Sequence, residues 1–141
     1  MFSPATVEVI ASYVYALTDA DDRIFYVGKG QGNRVFQHVE EVRRLIENDP
    51  DGLLDQTEAD DADDSGMGPK RQRIAELLRA GTPPRMYIIR EGLSLEQALL
   101  VEAALISVLD WQLGKSLTNQ VAGHGTAHFG LKTVDELEAT K

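Results

Sequence analysis

Residues Ser12–Glu40 read S-Y-V-Y-A-L-T-D-A-D-D-R-I-F-Y-V-G-K-G-Q-G-N-R-V-F-Q-H-V-E. Two short runs rich in β-branched and aromatic residues, Tyr13–Leu17 and Ile24–Val27, flank the polar segment Thr18–Arg23. That spacing predicts a β-hairpin. The second strand runs into Gly28-Lys29-Gly30-Gln31-Gly32, and a helix is expected from Asn33 to Glu47. Val35, Val39, Val42 and Ile46 fall on one stripe of that helix at 4-3-4 spacing. Asn33 or Gly32 is its expected N-cap. Arg34 and His38 lie one turn apart on a common face. Arg34 also sits in the first turn, where free N–H groups and the helix dipole favour a phosphate. Tyrosines, a lysine, an arginine and a histidine thus crowd one strand–loop–helix corner. Its glycines permit tight turning and close approach of a ligand.

Outward from this corner, Met1–Ala11 fits a short strand or a short helix equally. Residues 48–68 form an Asp- and Gly-rich acidic insertion. A second helix is expected over Pro69–Ala80, ended by Gly81-Thr82-Pro83-Pro84. Its first turn carries Lys70, Arg71 and Arg73, cations that oppose the helix dipole and that a phosphate contact would explain, as would plain solvation. Arg85–Arg90 reads as a third strand, with a turn at Glu91-Gly92-Leu93. Ser94 and Gln97 form a capping box for a helix running to about Leu109. Leu95, Ala98, Leu99, Leu105, Ile106 and Leu109 make its apolar stripe, and Glu102 interrupts the middle of that stripe. A carboxylate there is costly unless it is paired, hydrogen-bonded or metal-bound. Leu117–Gln120 and the glycine-rich Ala122–Gly130 read as irregular packing, and Lys132–Thr140 as a short terminal helix. His124 and His128 are four apart, but the surrounding glycines oppose a helix and a zinc pair needs more ligands.

The expected fold is α+β in a single domain: a small antiparallel-type three-stranded sheet flanked by helices, in the order ββα(α)βα, with a core over residues 12–122. Without cysteine, the chain has neither disulfides nor thiolate metal sites. No apolar run reaches the ~18 residues of a membrane span, no signal peptide is evident, and a cytoplasmic setting and a monomer are expected. The net charge of -9 opposes a nucleic-acid partner at first sight. Nine acidic residues, however, fall between Glu47 and Asp64 with no Lys or Arg among them. That leaves 14 of the 23 acids to face 14 bases elsewhere, so a local basic face is allowed.

Tyr13-Val14-Tyr15 followed by Tyr26-Val27-Gly28, then Lys29, Arg34 and His38, resembles the paired motif of the GIY-YIG nuclease superfamily. The form Y-V-G-K-G-x-G-N-R-x-x-x-H is most similar to small prokaryotic proteins related to the nuclease domain of an animal LEM-domain endonuclease. Tyr13 departs from the pattern, standing where the name motif has glycine. The resemblance implies a metal-dependent endonuclease. By it, Glu102 in V-E-A-A-L-I holds one divalent ion, Mg²⁺ or Mn²⁺. Arg34 contacts the scissile phosphate and His38 assists proton transfer. Tyr15 and Tyr26 match the motif tyrosines, Lys29 lowers a tyrosine pKa or binds phosphate, and Asn119 supports the site.

These parts suit phosphodiester hydrolysis. A metal and cations offset developing charge, one carboxylate with several waters suits a hard ion, and a base deprotonates water. A phenol with pKa ≈ 10 needs its value depressed to serve as that base. Tyr15 assisted by His38 is the first choice, and Tyr26 the second. Gly28 and Gly30 would admit the substrate backbone, with Lys70, Arg71 and Arg73 as further phosphate contacts. The expected substrate is DNA, branched or damaged forms included. An RNA strand fits the same catalytic groups, and a non-catalytic binding module on this fold is the competing reading. With little sequence beyond the core to read bases, cleavage is expected to be structure-selective or weakly sequence-specific.

Overall fold

The structure, a computed structural model, describes residues 1–48, 68–113, 117–119 and 131–139. The hairpin forms as β1 (Ser12–Thr18) and β2 (Ile24–Gln31), joined by a turn in which the Asp19 carboxylate accepts from the Asp21 and Arg23 N–H groups. β2 continues four residues beyond Val27, so Gly28–Gln31 is strand rather than loop. Its pairing to β1 runs Ser12–Gln31, Tyr13–Gly30, Val14–Lys29 and Tyr15–Gly28. The flanking partner strand holds the glycines extended, which their lack of side chains could not signal.

Before the hairpin, α1 (Pro4–Ile10) settles the undecided N-terminal segment as helix, its N-cap Ser3 hydroxyl accepting from Thr6 N–H at 3.2 Å. After it come α2 (Arg34–Glu47) and α3 (Pro69–Arg79). The acidic insertion, apart from its end residues Asn48 and Gly68, lies outside the described residues, as do Gln120, Ala122–Gly130 and both late histidines. β3 (Arg85–Leu93) runs through the expected turn at Glu91–Leu93. Gly92, at φ +72°, takes up a register shift opposite β1, so the strand bulges instead of ending. α4 (Leu95–Leu113) carries the capping box as expected, Ser94 Oγ accepting from Gln97 N–H and Gln97 Oε1 from Ser94 N–H. α5 (Val134–Ala139) follows.

The sheet is antiparallel in the order β2-β1-β3 with helices on both faces, an α+β fold. Cross-strand partners share a face. Tyr13, Tyr15 and Leu17 face α2 and α3, where they pack with Val35, Val39, Val42, Ile74, Ala75 and Leu77. Val14 and Val27 face α4 and pack with Ala98, Ile106 and Leu117. Leu95, expected on the apolar stripe of α4, is instead exposed at its first turn. Glu102 holds the stripe position and is buried at 9% exposure.

Candidate active site

The glycines of Y-V-G-K-G have specific neighbours. A Cβ on Gly28 would lie 2.6 Å from the Tyr15 Cζ and Oη and 2.9 Å from Tyr26. A Cβ on Gly30 would lie 2.6 Å from the Arg34 Cβ. Such contacts are too close for any other residue without displacement. Gly28 therefore lets the Tyr15 ring lie across the β2 backbone, and Gly30 lets the first turn of α2 press against it. Tyr15, Tyr26, Arg34 and His38 are assembled by these two missing side chains.

Tyr15 is 1% exposed, and its hydroxyl is hydrogen-bonded to His38 Nε2. His38 is equally buried, and its Nδ1 has no hydrogen-bond partner among the described residues. Tyr26 packs edge-on to the imidazole, ring centroids 5.3 Å apart, and the Lys70 ammonium stands 4.9 Å above the Tyr26 ring. Burial pushes the Tyr15 phenol well above its usual pKa, and neighbouring Tyr26 and the Glu102 carboxylate push the same way, against the Arg34 guanidinium. Burial drives the His38 pKa far down, aided by the charges of Lys70, Arg34 and Arg71. The two groups are thus a neutral phenol bonded to a neutral imidazole at ordinary pH.

Arg34 sits where α2 begins, its Nη1 2.9 Å from Gln37 Oε1 and 3.7 Å from the Glu41 carboxylate. Lys29 is exposed. Asn33 is the N-cap residue, yet its side chain does not cap: Oδ1 accepts from Phe2 N–H at 2.8 Å, tying the N-terminal segment to α2. Asn119 clamps the outer edge of β2, accepting from Val27 N–H at 3.1 Å and donating to the Val27 carbonyl at 2.7 Å, while Thr118 bonds the Phe25 carbonyl. Leu117–Asn119 is irregular in backbone, as expected, and Thr118 and Asn119 tie it to the strand edge.

The three α3 cations diverge. Lys70 joins the aromatic group as described. Arg71 is buried beside the Glu41 carboxylate at 3.5 Å. Arg73 pairs with Asp19 at 3.3 Å and Glu76 at 3.0 Å. Among the described residues no cluster of three or more His, Asp or Glu side chains suits a metal. A cation here would have Glu102 as its protein carboxylate, with water and substrate oxygens as further ligands, an arrangement that fits a hard divalent ion.

Tyr13 was missed as a working residue. Its hydroxyl donates to the Gly32 carbonyl at 2.8 Å and accepts from Val35 N–H at 3.1 Å, so it caps the start of α2 from the strand. Only its departure from the motif glycine hinted at a separate task.

A hairpin of buried tyrosines crossed by glycine, a helix bearing arginine and histidine, and a later helix with a buried glutamate make up the candidate site of this α+β fold. The family model for the LEM-3-like GIY-YIG domain matches residues 16–137. The chain belongs to that family, whose domains are nucleases acting on nucleic acid. The match takes in Tyr26 through Asn119 and begins just after Tyr15. No curated protein and no solved structure matches the chain. No helix among the described residues is long and apolar enough to cross a membrane.

Proposed function

We propose that the protein is a metal-dependent endonuclease that hydrolyses DNA with structural rather than strong sequence preference. The observation that supports this best is the Tyr15–His38 pair pressed against Gly28, within electrostatic range of buried Glu102. Arg34 and Lys29 would bind the scissile phosphate. Arg34 retains N–H donors beyond the one given to Gln37. Glu102 would hold one Mg²⁺ or Mn²⁺, which when bound supplies charge neutralisation at the phosphate.

The elevated phenol changes how Tyr15 would act. A preformed phenolate is disfavoured in this setting. Tyr15 would instead take the proton of the attacking water as its own hydroxyl proton passes to His38 Nε2, and the negative charge of a bound phosphate would have to offset the burial and the nearby cations that disfavour the imidazolium. That route needs the hydroxyl to donate to Nε2 and places the imidazole proton on Nδ1. Tyr26, under Lys70, would orient the water, and Asn119 would keep β2 and its glycines in line.

The test is cleavage of supercoiled plasmid and of a branched DNA with Mg²⁺ or Mn²⁺, wild type against Glu102→Ala. Cleavage that needs both metal and Glu102 supports the reading. A wild type that binds DNA but cuts neither DNA nor RNA overturns it in favour of a binding module.

A further inference from the structure

Beside the catalytic group lies a second feature that hydrolysis itself does not use. A cavity of about 270 Å³ opens where β2 ends, between the first turns of α2 and α4. Lys29 and Arg34 line it together with Gln31, Ser12, Leu95 and Ala98. Gly28, under the Tyr15 ring, and Gln31 are three positions apart on β2. At ~3.3 Å per strand residue Gln31 lies roughly 10 Å along the strand from that ring, and Lys29 and Gly30 bring the wall of the cavity closer. A strand whose phosphate meets Arg34 must place its next nucleotide at or beside this opening, because Arg34 belongs to both.

Three details give the cavity a chemistry. Gln31 Nε2 donates to Ser12 Oγ at 2.9 Å, which fixes the carboxamide and, among the described residues, leaves its Oε1 and second N–H for another partner. A carboxamide with one acceptor and one donor available is complementary to the edge of a nucleobase. Leu95 is 69% exposed although it opens an otherwise apolar helix, and it lies in the wall of this cavity beside buried Ala98. An apolar wall beside a polar amide matches a base, which has an apolar face and a polar rim. The cations at the mouth suit the adjoining phosphates.

We infer that this cavity receives an unpaired nucleobase of the strand being cut, next to the scissile phosphate, with Gln31 reading its edge and Leu95 covering its face. The inference rests on the nuclease reading of the neighbouring site. A base held there is out of its duplex, so unpaired DNA, as at a branch point, a flap or a damaged pair, is favoured. Extrusion from intact duplex costs free energy that such substrates have already lost. The preference for structure thus comes from a pocket rather than from a separate recognition domain.

The experiment is an abasic scan. A tetrahydrofuran residue is moved one nucleotide at a time through the single strand flanking the cut site of a flap substrate. Binding and cleavage are measured for wild type, Gln31→Ala and Leu95→Ala. One position adjacent to the cut should weaken wild-type binding about tenfold, and both variants should bind intact DNA correspondingly more weakly and lose that positional dependence. A flat scan with an active wild type overturns the pocket while leaving the nuclease reading standing. So does a Gln31→Ala protein that keeps the full dependence. Failure of wild type to bind any of the oligonucleotides overturns the nuclease reading and the pocket together.

Discussion

Tyr13 and Tyr15 stand two residues apart on the same strand and the same face, both almost wholly buried, with ring centroids 5.9 Å apart. Their hydroxyls meet different surroundings. That of Tyr13 is spent on backbone, between the Gly32 carbonyl and the Val35 N–H at the start of α2. That of Tyr15 meets a titratable ring whose far nitrogen has no partner among the described residues. A hydroxyl tied to main chain holds structure, because neither partner can change protonation. A hydroxyl tied to imidazole can pass a proton. Burial raises both phenols, so burial alone does not distinguish them. The identity of the partner does.

The contrast is sharpened most by Tyr15→Phe. It should lower the cleavage rate by about 10²–10⁴-fold, the usual scale for losing a proton-transfer group, while circular dichroism and the melting temperature stay near wild type. Gly28→Ala comes next. Its methyl group has no room beside the Tyr15 hydroxyl, so overpacking should cost about 1–3 kcal/mol of stability and displace the Tyr15 ring as well. Urea unfolding and turnover should both register it, and a variant with wild-type values in both would show that the ring does not depend on Gly28. Tyr13→Phe should be the mirror image of Tyr15→Phe. It strands the buried Val35 N–H at a cost of about 1–3 kcal/mol, and the fraction that remains folded should turn over normally.

The smallest effect concerns pH. The folded-state pKa of His38 is depressed by burial, so the unfolded chain takes up the proton first as pH falls below about 6.5. The stabilisation is complete above that value and is lost as pH falls. The loss steepens towards about 1.4 kcal/mol per pH unit for one proton. Urea unfolding between pH 7 and pH 5 should show this slope in wild type and a flatter one in His38→Phe. Equal slopes would mean that His38 does not remain neutral in the fold.

Much of this was legible in the sequence, for identifiable reasons. The hairpin, α2 and α4 announced themselves by two β-prone runs about a polar turn, a 4-3-4 apolar stripe and a capping box. Glu102 stood out because a carboxylate broke an apolar stripe, and it is indeed buried. The glycine run of β2 was read as loop because strand pairing with β1 leaves no trace in residues without side chains. β3 was ended early for a related reason: Gly92 reads as a turn, but the register shift beside it makes it a bulge. The clamp of Asn119 on Val27 joins residues 92 positions apart, and no local pattern reports such a bond. Gln31 and Ser12 became neighbours only once β2 was seen to extend to Gln31, so the cavity they line was out of reach of the sequence. The N-terminal helix was undecided because its seven residues carry too short a pattern, and its cap is Ser3 just ahead of Pro4.

The most direct measurement is a single side-by-side assay. Wild type, Tyr13→Phe and Tyr15→Phe are incubated with a branched DNA and Mg²⁺ or Mn²⁺, with the folded fraction of each measured under the same conditions. The account predicts that Tyr15→Phe is folded and inactive, whereas Tyr13→Phe is less stable and active per folded molecule. Equal loss of activity in both variants, or full activity in Tyr15→Phe, would contradict it.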